Sequence, residues 1–186
     1  MDFIHRDSAA LLVVDMQERL LAAFPDERRA PVVRCASILV ETAVTMGIPI
    51  IVSEQYAKGL GPTIADVRDR IGAGFAPIEK MVFSCGRSPE FKAALDATGR
   101  RDVILAGVEA HVCVLQTAMD LLRDGYQVYV PADAVTSRRD LDWRTGLNLM
   151  EKAGAVIGTT EIFVFQLLER AGTDEFKTIS KLIRAI

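Results

Sequence analysis

Continuous apolar runs alternate along the chain with segments whose apolar positions recur at helical spacing. ALLVVD, at 10–15, is apolar throughout and ends in an acid. PIIVSE, at 49–54, repeats that form, with proline at the first strand position, where it is tolerated. Residues 77–83, 102–107 (DVILAG) and 126–131 (YQVYVP) read as third, fourth and fifth strands, and 155–159 as a sixth. Helical patterns cover 31–47, 63–71, 89–98, 111–124 and 140–153, and two more follow at 160–170 and 174–184. The helix at 31–47 has Pro in its first turn and Gly just past its end, the positions those residues favour.

Strands apolar on both faces belong in a sheet covered on both sides. Strand–helix alternation predicts parallel pairing through right-handed crossovers. The chain therefore reads as one domain over 1–186, a three-layer α/β/α sandwich on a mainly parallel, six-stranded sheet. Ligands in such folds bind beyond the carboxyl ends of the strands, where the strand order reverses. Functional side chains are expected where strands end and the following helices begin.

Composition narrows the partners. Half of the 186 residues are hydrophobic, a quarter are charged, and the net charge is −3. Without a basic tract, nucleic acid is not an expected partner. No apolar run approaches the roughly 20 residues that span a bilayer, so no membrane partner is expected either. The start, MDFIHRDSAA, lacks the basic-then-apolar order of a secretory signal. Three cysteines, Cys35, Cys85 and Cys113, suit a reducing compartment better than a disulfide framework. The expectation is a cytoplasmic protein acting on or binding a small molecule. KGLGPT (58–63) and GAGF (72–75) lack the GxGxxG pattern of a dinucleotide cradle, and two histidines are too few for a three-histidine metal site. No metal and no cofactor are expected.

Three residues stand where chemistry is expected. Asp15 ends the first strand, although it could instead cap a short helix beginning near Gln17. Lys80, inside PIEKMVF, must snorkel or find a partner, unless it protects a sheet edge. Its neighbour Glu79 faces the other side of that strand. Advancing about 100° per residue along 111–124 puts Cys113 with Gln116, Thr117, Asp120, Arg123 and Asp124. The opposite arc holds Val112, Leu115, Ala118, Met119, Leu121 and Leu122, which is where a cysteine serving only as core filler belongs. In the first helical turn, free N–H groups and the dipole favour a thiolate and can receive an oxyanion. Cys85, after the third strand, is the rival nucleophile, and Cys35 reads as packing. His111 does not share a helix face with Cys113, two positions away. Asp133 reads as a turn or cap residue. Tyr56, Phe83 and Met16 are candidates for pocket or core alike.

An acid ending strand one, a lysine in strand three and a cysteine after the glycine of strand four together resemble the isochorismatase-like cysteine hydrolase superfamily, within it the isochorismatase domain-containing proteins. The resemblance is carried by LLVVDMQ (11–17), SEQYAKGLGPT (53–63), EKMVFSC (79–85), GVEAHVCVLQTAMDLLRDGYQVYVPADAVTSR (107–138) and SKLI (180–183), and spans residues 7–184. It implies a catalytic trio of Asp15, Lys80 and Cys113, a non-proline cis peptide at Val108–Glu109, and an oxyanion hole from the backbone N–H groups of Glu109 and Cys113. Gln17 would line the same pocket, and the protein would form a homo-oligomer. In the implied reaction Asp15 takes the thiol proton and Lys80 holds the charges in place. Cys113 attacks a carbonyl, ammonia or an amine leaves, and water hydrolyses the thioester. A carboxylate is a weak base for an ordinary thiol, so this reading expects the helix start and Lys80 to lower the Cys113 pKa.

Two departures narrow the implication. SEQYAKG lacks the histidine of the metal-binding Asp-x-His motif found in nicotinamidase-like members. Members that cleave a vinyl ether usually lack the cysteine that Cys113 supplies here. A carbonyl substrate is therefore expected. Two other readings stay open: a non-catalytic binding or scaffold protein on the same fold, and a redox pair of Cys85 with Cys113.

Overall fold

The computed structural model describes residues 3–184; residues 1–2 and 185–186 of the expected domain lie outside the described residues. The strands are β1 (Ala9–Val14), β2 (Ile50–Gln55), β3 (Ile78–Lys80), β4 (Asp102–Val108), β5 (Gln127–Pro131), β6 (Val135–Thr136) and β7 (Val156–Gly158). They run in the order β3-β2-β1-β4-β5-β7, with β6 also pairing to the end of β4, and every ladder is parallel. The sheet thus has seven strands where six are expected. The extra strand is two residues long, too short to show a period of its own. Its pairing with Gly107 and Val108 defines it.

Alternation along each strand divides the core in two. Ala9, Leu11 and Val13 of β1 face one cluster, and Ala10, Leu12 and Val14 face the other. β4 sends Ile104, Ala106 and Val108 to the first and Val103 and Leu105 to the second. The first face is covered by α2 (Asp26–Met46), α4 (Ala65–Ile71), α8 (Thr160–Leu168) and α9 (Asp174–Ile183). The second is covered by α5 (Pro89–Ala97), α6 (Leu115–Arg123) and α7 (Asp140–Lys152). Two short helices, α1 (Glu18–Ala22) and α3 (Ala57–Leu60), follow the ends of β1 and β2. This is the three-layer α/β/α sandwich expected of strands buried on both faces.

Two boundaries differ from the sequence reading. α2 begins at Asp26, five residues before Pro31, which therefore lies inside the helix. A proline there removes a single amide donor near the helix start, and Asp26 and Glu27 complement the helix dipole in the first turn. β3 stops at Lys80 instead of running to Phe83. Beyond it the chain turns around the Lys80 ammonium, which donates to the Phe83 carbonyl at 3.0 Å, with the Val82 carbonyl more distant at 3.4 Å.

From β1 the sheet grows through β2 to β3 on one side and through β4 to β7 on the other. The order reverses between β1 and β4, so the crevice lies at their carboxyl ends. Gly107, just before the end of β4, has φ +125°, and a Cβ there would lie 2.0 Å from the carbonyl oxygen of Val14. Only glycine allows the two strand ends to approach so closely.

Candidate active site

Asp15 leaves β1 with φ +52° and turns its side chain into the crevice, where it is fully buried. Its carboxylate is held from both sides. Ser53 Oγ donates to Oδ1 at 2.7 Å, and Lys80 Nζ donates to Oδ2 at 2.8 Å. Sheet register brings the lysine there. Lys80 pairs with Gln55 across the β2–β3 ladder, and Nζ donates to Gln55 Oε1 at 2.7 Å. Neither side chain of the Asp15–Lys80 pair is exposed to solvent. The lysine does not snorkel and does not protect an edge.

Cys113 arrives from the other strand. After β4 the Val108–Glu109 peptide is cis, and residues Ala110–Val114 form a single π-helical turn before α6. Gly146 of α7 packs on this turn, since a Cβ there would lie 3.0 Å from the Ala110 carbonyl oxygen. The buried Cys113 thiol lies beside the Asp15 carboxylate and is coupled to it electrostatically. Asp15, Lys80 and Cys113 are therefore brought together from three separate elements.

The charge state of the thiol differs from the sequence reading. Burial pushes the Cys113 pKa far up, and the neighbouring Asp15 charge adds to the shift; Lys80 opposes both. The expected thiolate is thus corrected to a thiol at rest. The helix start is a buried π turn, and the one ammonium in the site is already matched by Asp15. Asp15 is itself shifted upward, by burial first, with Lys80, Ser53 and Cys113 all lowering it. One buried positive charge compensates one negative charge, which the carboxylate carries while Cys113 keeps its proton.

The polar arc of α6 does not face solvent throughout. Thr117 is fully buried and Asp120 nearly so. The turn after β3 lies over them: Cys85 N donates to Thr117 Oγ1 at 2.9 Å, and Arg87 Nε to Asp120 Oδ2 at 2.8 Å. Cys85 is buried in the same corner, with its thiol donating to Ser53 Oγ at 3.4 Å. Sequence reasoning missed Ser53 and Gln55. Their signal was present, as two polar side chains spaced two apart on one face of a strand whose first three residues are apolar.

Gln17, expected in the pocket, has another use. Its Nε2 donates to the carbonyls of Gln55 and Gly61 at 3.0 and 2.7 Å, and its Oε1 accepts from Gln55 N at 2.8 Å. With both amide hydrogens engaged and the residue fully buried, it ties the segment after β1, which carries Asp15, to the end of β2 and to Gly61. Tyr56 and Phe83 are both about half exposed, and the Phe83 carbonyl is tied to Lys80. Met16 is core. The Glu109 carboxylate turns away to Arg138, whose Nε and Nη2 it accepts at 3.0 and 3.3 Å. His111 bonds Ser137 at 2.9 Å, and Asp133 Oδ1 accepts from Thr160 N at 2.7 Å, at the first turn of α8. Cys35 is buried in the first core cluster.

Among the described residues no group of three or more His, Cys, Asp and Glu is placed to hold a metal ion, and no helix is long and apolar enough to cross a membrane. A groove of about 710 Å³ runs along α2, bounded by Leu21, Val33, Ser37, Ile64 and Lys181 among others. None of Asp15, Lys80 or Cys113 lines it.

Comparison with known proteins bears on this geometry. Residues 9–162 match the family model for the isochorismatase domain. Over 183 residues the chain is 36% identical to isochorismatase domain-containing protein 2A of Mus musculus, covering 96% of this chain and 84% of that one. A structure described as MAR1 ribonuclease from Caenorhabditis elegans superposes with a TM-score of 0.91 at 35% identity, over 98% of this chain and 93% of that one. N-carbamoylsarcosine amidase from Thermoplasma acidophilum superposes with a TM-score of 0.69 at 26% identity, over 83% and 97% of the two chains.

Proposed function

The chain belongs to the isochorismatase family, and from that premise we propose that it is a cysteine-dependent hydrolase of a small amide or related carbonyl compound. The observation that carries the reading is the buried Asp15 carboxylate, with Lys80 on one oxygen, Ser53 on the other, and the Cys113 thiol beside it and coupled to it. A base, its counterion and a nucleophile meet where the strand order reverses.

The reaction proceeds from a neutral thiol. As the sulfur attacks the carbonyl carbon, the thiol proton passes to Asp15 and the C–S bond forms. The carbonyl π pair moves to oxygen, which the backbone N–H groups of Glu109 and Cys113 receive as an oxyanion hole. Lys80 holds the single negative charge as it moves from carboxylate to substrate oxygen. Collapse expels the amine, which takes the proton from Asp15, and the acyl group remains on sulfur as a thioester. Asp15 then takes a proton from water as the hydroxyl adds; the acid leaves, and the proton returns to Cys113. Proton transfer in step with attack suits a thiol whose resting pKa is high, because no free thiolate must accumulate.

The amidase among the structural neighbours supports an amide substrate. The ribonuclease description of another neighbour points elsewhere, but a net charge of −3 and a site ammonium already matched by Asp15 favour a small carbonyl compound over RNA here. Three buried free cysteines accord with a reducing compartment. Exposed Met81, Val82 and Phe83 beside the site accord with burial in a homo-oligomer. An ammonia-release screen across small amides tests the reading, run beside Cys113→Ala. Release by the wild type and none by a folded Cys113→Ala supports it; undiminished release by the variant refutes it.

A further inference from the structure

Cys85 is a buried thiol that the proposed reaction leaves unused. Its sulfur lies 3.4 Å from Ser53 Oγ, and Ser53 Oγ lies 2.7 Å from Asp15 Oδ1. A serine hydroxyl has one hydrogen, and an ionised carboxylate only accepts. The Ser53 hydrogen therefore goes to Asp15, and Cys85 must donate its own hydrogen to Ser53. The backbone holds Cys85 in that role, since its N–H is fixed by Thr117 Oγ1 at 2.9 Å. We propose that Cys85 is a positioning residue for the base: its thiol locks the Ser53 hydroxyl onto Asp15 Oδ1, so that the carboxylate stays ionised and aimed at Cys113. The inference rests on the reading of Asp15 as the base for Cys113.

Each oxygen of Asp15 then has its own donor. Lys80 supplies the charge on Oδ2, and the Cys85–Ser53 pair supplies an oriented neutral hydrogen bond on Oδ1. Burial keeps Cys85 a donor at working pH, because it pushes the thiol pKa up to about 11, with the Asp15 charge adding to the shift. The titratable groups facing Asp15 are Lys80 from β3, Cys113 from the π turn and Cys85 from the turn after β3. Glu109, just before that π turn, and His111, within it, are engaged by Arg138 and Ser137.

The test needs no substrate. Alkylation of Cys113 by iodoacetamide is followed against pH by peptide mass mapping, which separates it from Cys35 and Cys85. The acid limb of that profile marks uptake of a second proton by the Asp15–Cys113 pair. Cys85→Ala removes the donor to Ser53, so the limb moves to higher pH and the rate within it falls by up to about fivefold, as for a neutral hydrogen bond. Ser53→Ala moves it further, because the bond lost is one to a charged group. Cys85→Ser retains a donor and lies nearer the wild type than Cys85→Ala does. A limb in Cys85→Ala that coincides with the wild type overturns the proposal, as does a Cys85→Ser limb displaced as far as that of Cys85→Ala. Should neither Cys85 variant fold, the S–H stretching band of Cys85 serves instead. It shifts to the position of a free thiol in Ser53→Ala, and an unmoved band overturns the proposal. Loss of turnover in Cys113→Ala is a separate readout, so failure of the hydrolase reading and failure of the Cys85 role are told apart.

Discussion

Asp15→Asn keeps the shape of the site and removes its one negative charge. Lys80 Nζ would keep neutral acceptors in Gln55 Oε1 at 2.7 Å and the Phe83 carbonyl at 3.0 Å, but it would lose its counterion. A group able to take over that charge is the Cys113 thiol, whose pKa burial raises most and the Asp15 charge raises further. Two unit charges about 4 Å apart at an effective dielectric of about 20 interact by about 4 kcal/mol. That equals about three pH units of thiol pKa. Removing the carboxylate should therefore lower the Cys113 pKa by about three units while removing the base. Turnover should fall by about 10²–10⁴-fold, the usual contribution of a general base. Separating a buried ion pair costs about 3–5 kcal/mol of stability, and a new Lys80–thiolate pair offsets part of it. The assay is paired: iodoacetamide labelling of Cys113 at neutral pH, and ammonia release on the substrate the screen identifies. The variant should label faster than the wild type and turn over more slowly. Labelling that is unchanged or slower would refute the argument that one ammonium balances one anion in this crevice.

Two further perturbations test the frame around the site. Gly107→Ala forces a Cβ to within 2.0 Å of the Val14 carbonyl oxygen at φ +125°, so it should cost about 3 kcal/mol or more and lower Tm by about 10 °C; a Tm within about 2 °C of the wild type would contradict the close approach of β1 and β4. Burial raises the Asp120 pKa, but Ser84, Arg87 and Arg123 together bring it below the ordinary carboxylate value. A folded-state pKa below the unfolded one contributes stability that is present above the unfolded pKa and lost as pH falls through the folded pKa. Chemical denaturation of Asp120→Asn should therefore lose less stability than the wild type on acidification below about pH 4, and parallel curves would refute it.

The parts of this molecule legible in the sequence are those where one physical demand dominates. β1 and β4 are buried on both faces, so their runs are apolar without alternation and could only be central strands. That placed Asp15 and Cys113 at strand ends, and the parallel sheet made those ends a crevice. Lys80 was legible because an ammonium in an apolar run needs a partner. The rest depended on contacts between distant segments. β6 exists only because Val135 and Thr136 pair with the end of β4. β3 ends at Lys80, where the chain turns around the ammonium and the Phe83 carbonyl accepts from it. Gln17 reads as a pocket amide until the carbonyls of Gln55 and Gly61 occupy it. The titration of Cys113 shows the same limit. A cysteine opening a helix reads as a thiolate, but burial and a carboxylate almost a hundred residues upstream reverse the direction.

The central claim is that the acyl group of the substrate passes through the sulfur of Cys113. The most direct measurement is peptide mass analysis of the protein quenched in acid during turnover of an amide that releases ammonia. The account predicts a peptide containing Cys113 heavier by the acyl group, released by hydroxylamine and absent from Cys113→Ala. Steady turnover with Cys113 unmodified, and with Cys113→Ala equally active, would contradict it.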